Sequence, residues 1–204
     1  MISISYAVTV CDELDEIKTL IPFLLEHKQP QDEVVVLFDE SKEDDDVLTY
    51  LEHIGGIRVY KDTFTGHFAE WKNKLSDFCK NDYIFQIDAD EVPHKLLMEN
   101  LHSMIEEQPV DLYYIPRVNT VSGITTEHIE KWGWSQNQSG WVNYPDYQSR
   151  IYKNSKRIKW TSKVHESIVG FRLFTRLPAY EELSLYHHKN IDRQEKQNSY
   201  YNTL

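Results

Sequence analysis

The sequence predicts a mixed α/β fold: a mostly parallel sheet flanked by helices, with a small antiparallel extension in its second half. Three observations predict it. Apolar, β-rich runs alternate with amphipathic stretches through the first half of the chain. Val34-Val35-Val36-Leu37-Phe38 is apolar at every position, the pattern of a strand covered on both faces. In the second half the rhythm changes to short strand-like runs around an aromatic-rich stretch. The 204 residues are 40% hydrophobic and 27% charged, the composition of a folded chain that can bury a core without disulfides. A single domain over 1–204 is expected, with halves at 1–110 and 111–204.

Ile2–Val10 reads as the first strand, and an amphipathic helix follows over Ile17–His27. Asp12 is its expected N-cap, because a short side-chain oxygen accepts from the orphan N–H groups of a first turn. The second strand is Val34–Phe38. Asp44–Ile54 is helical in pattern, and Gly55-Gly56 ends it. Ile57–Tyr60 is a short strand, His67–Cys79 brackets a helix, and Tyr83–Ile87 is a fourth strand. This alternation implies βαβ units, whose ligands sit beyond the carboxyl ends of the strands. Thr9–Glu13, Phe38–Glu40 and Asp88–Glu91 occupy those positions.

A helix over Pro93–Gln108 and a strand over Leu112–Val118 open the second half. The stretch containing Trp132, Trp134, Trp141, Tyr144 and Tyr147 shows little periodicity. Strand-like runs return at Gln148–Lys153, Arg157–Trp160, Val164–Val169 and Leu183–His187, and the polar tail from Asp192 is helical in pattern.

The formal net charge of −11 argues against a general affinity for nucleic acid, since phosphate backbones need concentrated positive charge. No apolar run approaches the roughly 18–20 residues that span a bilayer, and the N-terminus shows no basic n-region. Cys11 and Cys79 match no zinc or redox spacing, so a cytoplasmic protein with free thiols is expected. Charge is uneven, however. Arg150, Lys153, Lys156, Arg157, Lys159 and Lys163 follow one another with no acid between them, either as a solvated strand pair or as a face for a phosphorylated ligand or anionic acceptor.

The fourth strand runs straight into Asp88-Ala89-Asp90-Glu91. In extended backbone Asp88 and Asp90 share one face with little between them, and two such carboxylates repel unless a cation joins them. Oxygen ligands of this type suit Mg2+ or Mn2+, which leave open positions for phosphate oxygens. The structural alternative is that Asp90 caps the helix that Pro93 helps to begin.

Val10-Cys11-Asp12-Glu13, Phe38-Asp39-Glu40-Ser41, Trp71-Lys72-Asn73-Lys74 and Asp88-Ala89-Asp90-Glu91 stand in this order at strand ends and on one helix. Over roughly residues 1–170 the series resembles a glycosyltransferase of the GT-A fold, a Rossmann-like sheet, close to glycosyltransferase family 2. The resemblance implies that Thr9, Cys11, Asp12 and Glu13 meet the nucleotide base, and that Asp39 lies near base and ribose. It also implies that Asn73 and Lys74 flank the nucleotide and that Asp88-Ala89-Asp90 holds Mn2+ or Mg2+ on the diphosphate. The donor it implies is a UDP-sugar carrying glucose or galactose; the acceptor would be a carbohydrate or glycoconjugate bound by the 111–204 half. Two features depart from the family: the chain is shorter than most members, and the usual downstream acidic pair is not evident.

Val164-His165-Glu166 is similar to a Val-His-Glu element in a subset of these transferases. Glu166 is thereby a candidate general base, with Asp146 a second, and His165 or His187 a candidate third metal ligand. The tryptophan-rich loop suits sugar stacking, and Arg150 is a candidate for reaching the diphosphate. Stereochemistry stays open, since retention needs no such base.

Three other readings compete. Asp88-Ala89-Asp90-Glu91-Val92 also matches the opening motif of haloacid dehalogenase-type phosphatases, with Asp88 as nucleophile, but here three strand–helix units precede it. A nucleotidyltransferase would usually carry a Gly-rich loop after its first strand, and Thr9–Glu13 has no Gly. A non-catalytic carbohydrate-binding module explains the aromatic loop but leaves the acidic motif idle.

Overall fold

The computed structural model describes residues 1–42 and 45–201. Its first half follows the expected alternation: β1 (Ile4–Val10), α1 (Leu14–His27), β2 (Glu33–Asp39), α2 (Asp45–His53), β3 (Arg58–Asp62), α3 (Phe68–Phe78) and β4 (Tyr83–Asp88). Asp44, the expected start of α2, lies outside the described residues. There follow β5 (Glu91–Pro93), α4 (Lys95–Glu107), β6 (Leu112–Ile115), β7 (Arg117–Ser122) and α5 (Thr126–Trp132). The chain continues through β8 (Gln148–Lys153), β9 (Lys159–Thr161), β10 (Ser167–Val169), β11 (Phe174–Arg176), β12 (Leu185–Asn190) and α6 (Ile191–Tyr201).

Seven strands form the main sheet in the order β11-β6-β8-β4-β1-β2-β3. β3, β2, β1 and β4 are parallel, whereas β8 runs antiparallel between β4 and β6. Side-chain alternation divides the core along β1. Tyr6, Val8 and Val10 pack with α1, α2 and α4, while Ala7 faces α3 and the β9–β10 ribbon. A second sheet, β5-β12-β7, joins the end of the acidic Asp88–Glu91 segment to the C-terminal part of the chain.

Several local expectations are corrected. Asp12 does not cap α1: Glu13 stands at the cap position without a side-chain bond, and Asp12 pairs with Lys42 at 2.7 Å. Nor does Asp90 cap a helix. Pro93 ends β5, and His94 caps α4 by accepting from Leu96 N–H at 3.1 Å. The strand expected at Leu112–Val118 breaks into β6 and β7 at Pro116, which has no N–H to give a ladder. The aperiodic aromatic stretch contains α5, closed by a reciprocal capping box between Thr125 and His128. Val164-His165-Glu166 is a turn rather than a strand, with His165 at φ +52°.

Gly170 ends the β9–β10 ribbon at φ +84°, and a Cβ there would lie 1.9 Å from the Arg157 carbonyl oxygen. Both the backbone angle and the close approach demand glycine. Gly170→Ala should therefore destabilise the fold by about 1–3 kcal/mol, read as a lower urea midpoint at unchanged slope.

Candidate active site

The carboxyl ends of β1, β2 and β4 open into a cleft of about 1020 Å³. β1 and the turn after it bring Thr9, Cys11, Asp12 and Glu13 to its wall, β2 brings Asp39, and β4 brings Asp88-Ala89-Asp90. Asp146, His165, Glu166 and His187 line the same cleft from the second half. Asn73 and Lys74 do not. Asn73 pairs with the backbone of Trp160 on both sides at 2.9 Å, tying α3 to β9, and Lys74 pairs with Asp62. It is Lys72, on the buried stripe with Ala69 and Leu75, that reaches the cleft.

At the β1–β2 end Asp39 Oδ1 accepts from the N–H groups of Ser41 and Phe64, both at 3.0 Å. Burial works against its charge, but these donors outweigh it and hold the carboxyl below its ordinary range. The Cys11 thiol points at Asp39 Oδ2 from 3.6 Å and is pushed up to about 12, mainly by burial, so it stays protonated. Glu13 Oε2 accepts from Cys11 N–H at 2.8 Å and fixes the turn.

The two aspartates of the motif have different surroundings. Asp88 Oδ2 accepts from Arg150 Nη2 at 2.5 Å, and its Oδ1 lies 3.6 Å from Lys72 Nζ. Burial opposes its ionisation, yet these cations hold it far below the usual carboxylate range. The same Arg150 nitrogen lies 2.5 Å from Glu91 Oε1, and Arg117 reaches that oxygen at 2.8 Å. Glu91 is fully buried and Arg150 is 3% exposed, so this is an interior network rather than a surface pair.

Asp90 instead faces His187. Asn119 donates its amide N–H to Asp146 at 2.9 Å, which turns its carbonyl toward His187 Nδ1 at 2.7 Å. Nδ1 therefore carries the ring proton in the neutral imidazole, and Nε2 presents a lone pair to Asp90 Oδ2 at 3.3 Å. Two acceptors at that distance need a cation between them, a proton or a metal ion. Cis ligands of an octahedral Mg2+ are themselves about 3 Å apart, given bonds of ~2.1 Å. A carbonyl-bound second nitrogen is also the usual support of a metal-ligating histidine. Among the described residues no group of three or more His, Cys, Asp or Glu is arranged to hold a metal ion. A pair of ligands nevertheless fits an ion completed by phosphate oxygens and water. Asp90 is lowered to about 2, burial being outweighed by His187. Arg193 adds a cation 3.6 Å from the same oxygen.

Of the two base candidates, Asp146 is engaged throughout. Its Oδ2 accepts from Arg117 Nη2 at 2.7 Å as well as from Asn119, and its Oδ1 accepts from Gln148 at 2.8 Å. Glu166 is held on one oxygen only, by Lys72 Nζ at 2.6 Å. Lys72 lies between Glu166 and Asp88 and 4.6 Å above the Trp160 ring. His165 stands at the cleft wall beside Glu166, and His188 turns away to Thr120 and Ser122. Of the aromatic loop Trp134 lines the cleft, its ring tilted 54° against that of Trp132 with centroids 4.7 Å apart.

A family model described as Glycosyl transferase family 2 matches residues 5–182. The chain belongs to that family. Among solved structures, S. aureus TarS 1-349 in complex with UDP is similar with a TM-score of 0.66 at 16% identity, covering 91% of this chain and 60% of that one. The same protein in complex with UDP-GlcNAc gives 0.64 at 15% identity, covering 93% and 59%. A longer TarS structure gives 0.59 at 14% identity, with 37% of its chain covered. At such identities the likeness shows the fold, a GT-A sheet, and the chain spans less than two thirds of those structures. Family 2 membership displaces the phosphatase and nucleotidyltransferase alternatives.

In this family 2 chain, sequence reasoning missed Lys72, Arg117, Asn119 and Arg193. A lysine on the apolar stripe of α3 was the one legible signal; the others depend on β7 and α6 meeting β4. Arg150 was singled out for the diphosphate, but it lies beneath Asp88 and Glu91. Removing one partner of a buried charge network leaves the others uncompensated, so Arg150→Met should cost about 3–5 kcal/mol. Chemical denaturation checks this; a loss under about 1 kcal/mol would be the surface-pair result.

Proposed function

We propose that the chain is a metal-dependent glycosyltransferase that moves a hexose from a UDP-sugar to an acceptor hydroxyl. The observation that carries this reading is the meeting of Asp90 and His187 across a gap that fits one cation, beside a nucleotide-sized cleft at the ends of β1, β2 and β4. Asp39 and the Cys11 turn would receive the base and ribose. Asp90 and His187 would hold Mn2+ or Mg2+, which when bound neutralises charge on a diphosphate leaving group. Lys72 and Arg193 would add positive charge on either side of it, and Asp88, locked by Arg150, would keep Ala89 and Asp90 in position. Trp134 would offer a ring face to a sugar. Glucose and galactose are the expected hexoses; the TarS complex with UDP-GlcNAc adds an N-acetylated hexose to the donors to be tried.

Glu166 is the group proposed to take the acceptor proton, which makes the reaction inverting. It has an oxygen not held by Lys72, and its turn places it across the cleft from the Asp88 strand end.

Calorimetric titration with UDP, with and without Mn2+, tests the donor half. Binding should require the metal, and Asp90→Asn or His187→Ala should abolish the metal-dependent part while the fold persists. Metal-independent UDP binding unchanged in both variants would remove Asp90 and His187 from the donor site. For the catalytic half, Glu166→Gln should lower kcat by about 10²–10⁴-fold with UDP affinity preserved. Full activity in that variant, or a product of retained anomeric configuration by NMR, would exclude Glu166 as the base.

A further inference from the structure

Residues 150–176 carry eight Lys and Arg and a single acid, Glu166, in a chain whose net charge is −11. Arg150 and Glu166 belong to the cleft, which leaves Lys153, Lys156, Arg157, Lys159, Lys163, Arg172 and Arg176 facing solvent. Interleaved with them are three exposed apolar side chains: Leu173 at 63%, Phe174 at 54% and Val169 at 47%.

These residues are brought together by one node, Asp111. Its Oδ2 accepts from Arg172 N–H at 2.7 Å, from Leu173 N–H at 3.4 Å and from Arg157 Nη2 at 3.2 Å. Its carbonyl accepts from Lys153 N–H at 2.9 Å, and its own N–H donates to the Leu173 carbonyl at 2.9 Å. The backbone of Leu173 is thus pinned while its side chain is offered to water. On the adjoining ribbon Trp160 and Ile168 face inward, and the cross-strand pair Lys159 and Val169 faces outward. The Asp111 carboxylate is consumed in holding this surface together.

We propose that this face docks on an anionic lipid bilayer. Cations around exposed leucine and phenylalanine match such a surface in both respects: charge attracts the protein to acidic headgroups, and the apolar side chains enter the headgroup boundary. A cluster this positive on a chain otherwise strongly acidic also fixes the orientation of approach. The part of the face around Lys153, Arg172 and Leu173 lies away from the cleft lining. β8 runs from Gln148, Ser149 and Arg150 at the cleft wall to Lys153, opposite Tyr83 at the start of β4. Docking therefore leaves the donor site open, and it stands or falls independently of the proposed reaction.

Co-sedimentation with vesicles of phosphatidylcholine, alone and mixed with phosphatidylglycerol, tests the proposal. The chain should bind the mixed vesicles at low salt, be released by high salt and ignore the neutral ones. Leu173→Asp with Phe174→Asp, and separately Lys156→Glu with Lys159→Glu, should each reduce partitioning about tenfold or more, with circular dichroism and UDP binding unchanged. A folded chain that ignores anionic vesicles overturns the proposal, as does equal binding to neutral vesicles or variants that bind like the parent. A concentration-dependent dimer broken by the Leu173 and Phe174 changes, without vesicle binding, would assign the face to a second copy instead.

Discussion

The interior pairing of Glu91 with Arg150 and Arg117 is the interaction on which the cleft depends. Glu91 has no exposed surface, so its charge is tolerable only because guanidinium nitrogens stand 2.5 and 2.8 Å from one oxygen. Each partner comes from a different strand: Glu91 opens β5, Arg117 opens β7 and Arg150 lies in β8. The network therefore joins the main sheet to the small β5-β12-β7 sheet at the end of β4. Replacing these charges by apolar groups of equal volume need not weaken the fold, but it would remove what positions Asp88.

That positioning separates two carboxylates that a strand end presents together. Asp88 faces Arg150 and Lys72, and its negative charge is spent there. Asp90, two residues on, is left with His187 and a more distant arginine. Repulsion between the pair is thus relieved by unequal partnering rather than by one cation shared between them. One carboxylate becomes part of the scaffold, and the other keeps a lone pair directed into the cleft.

Fold and site were legible in the sequence to different depths, for physical reasons. β1, β2 and β4 were readable because strands buried on both faces are largely apolar and helices announce themselves by period, whereas β3, a half-buried edge strand, was marked by its place between two helices. β11, three residues long, and the break at Pro116 were not, since a strand that short carries no periodicity and its pairing with β6 is decided by tertiary contacts. The strand-end rule located Cys11, Asp39 and Asp88 because it needs only local sequence. It failed at Asn73, where the neighbouring Lys72 takes the cleft-facing position: adjacent helical residues point about 100° apart, given 3.6 residues per turn. Arg117, Asn119 and Arg193 were beyond reach because their partners, Glu91, Asp146, His187 and Asp90, are distant in sequence and are met only through tertiary contacts.

The proton on His187 shows how far such long-range placement reaches into chemistry. An isolated Asp90–His187 contact could be an ion pair or a vacant metal site, and distance alone does not choose. What the fold does fix, through Asn119 and Asp146, is which ring nitrogen keeps its proton. Arg117 and Asn119 both donate to Asp146 Oδ2, so the Asn119 amide cannot flip without losing that bond and setting an N–H against the imidazole N–H. With the amide fixed, Nδ1 must donate, so in the neutral ring the lone pair sits on Nε2, aimed at a carboxylate oxygen that only a proton or a metal ion can join to it. Asp146, a candidate base by sequence, thus acts through Asn119 as the residue that sets the tautomer of a histidine on another strand. The acid with both oxygens engaged is the one that prepares the site, and Asp90 and Glu166 are those left to meet a ligand.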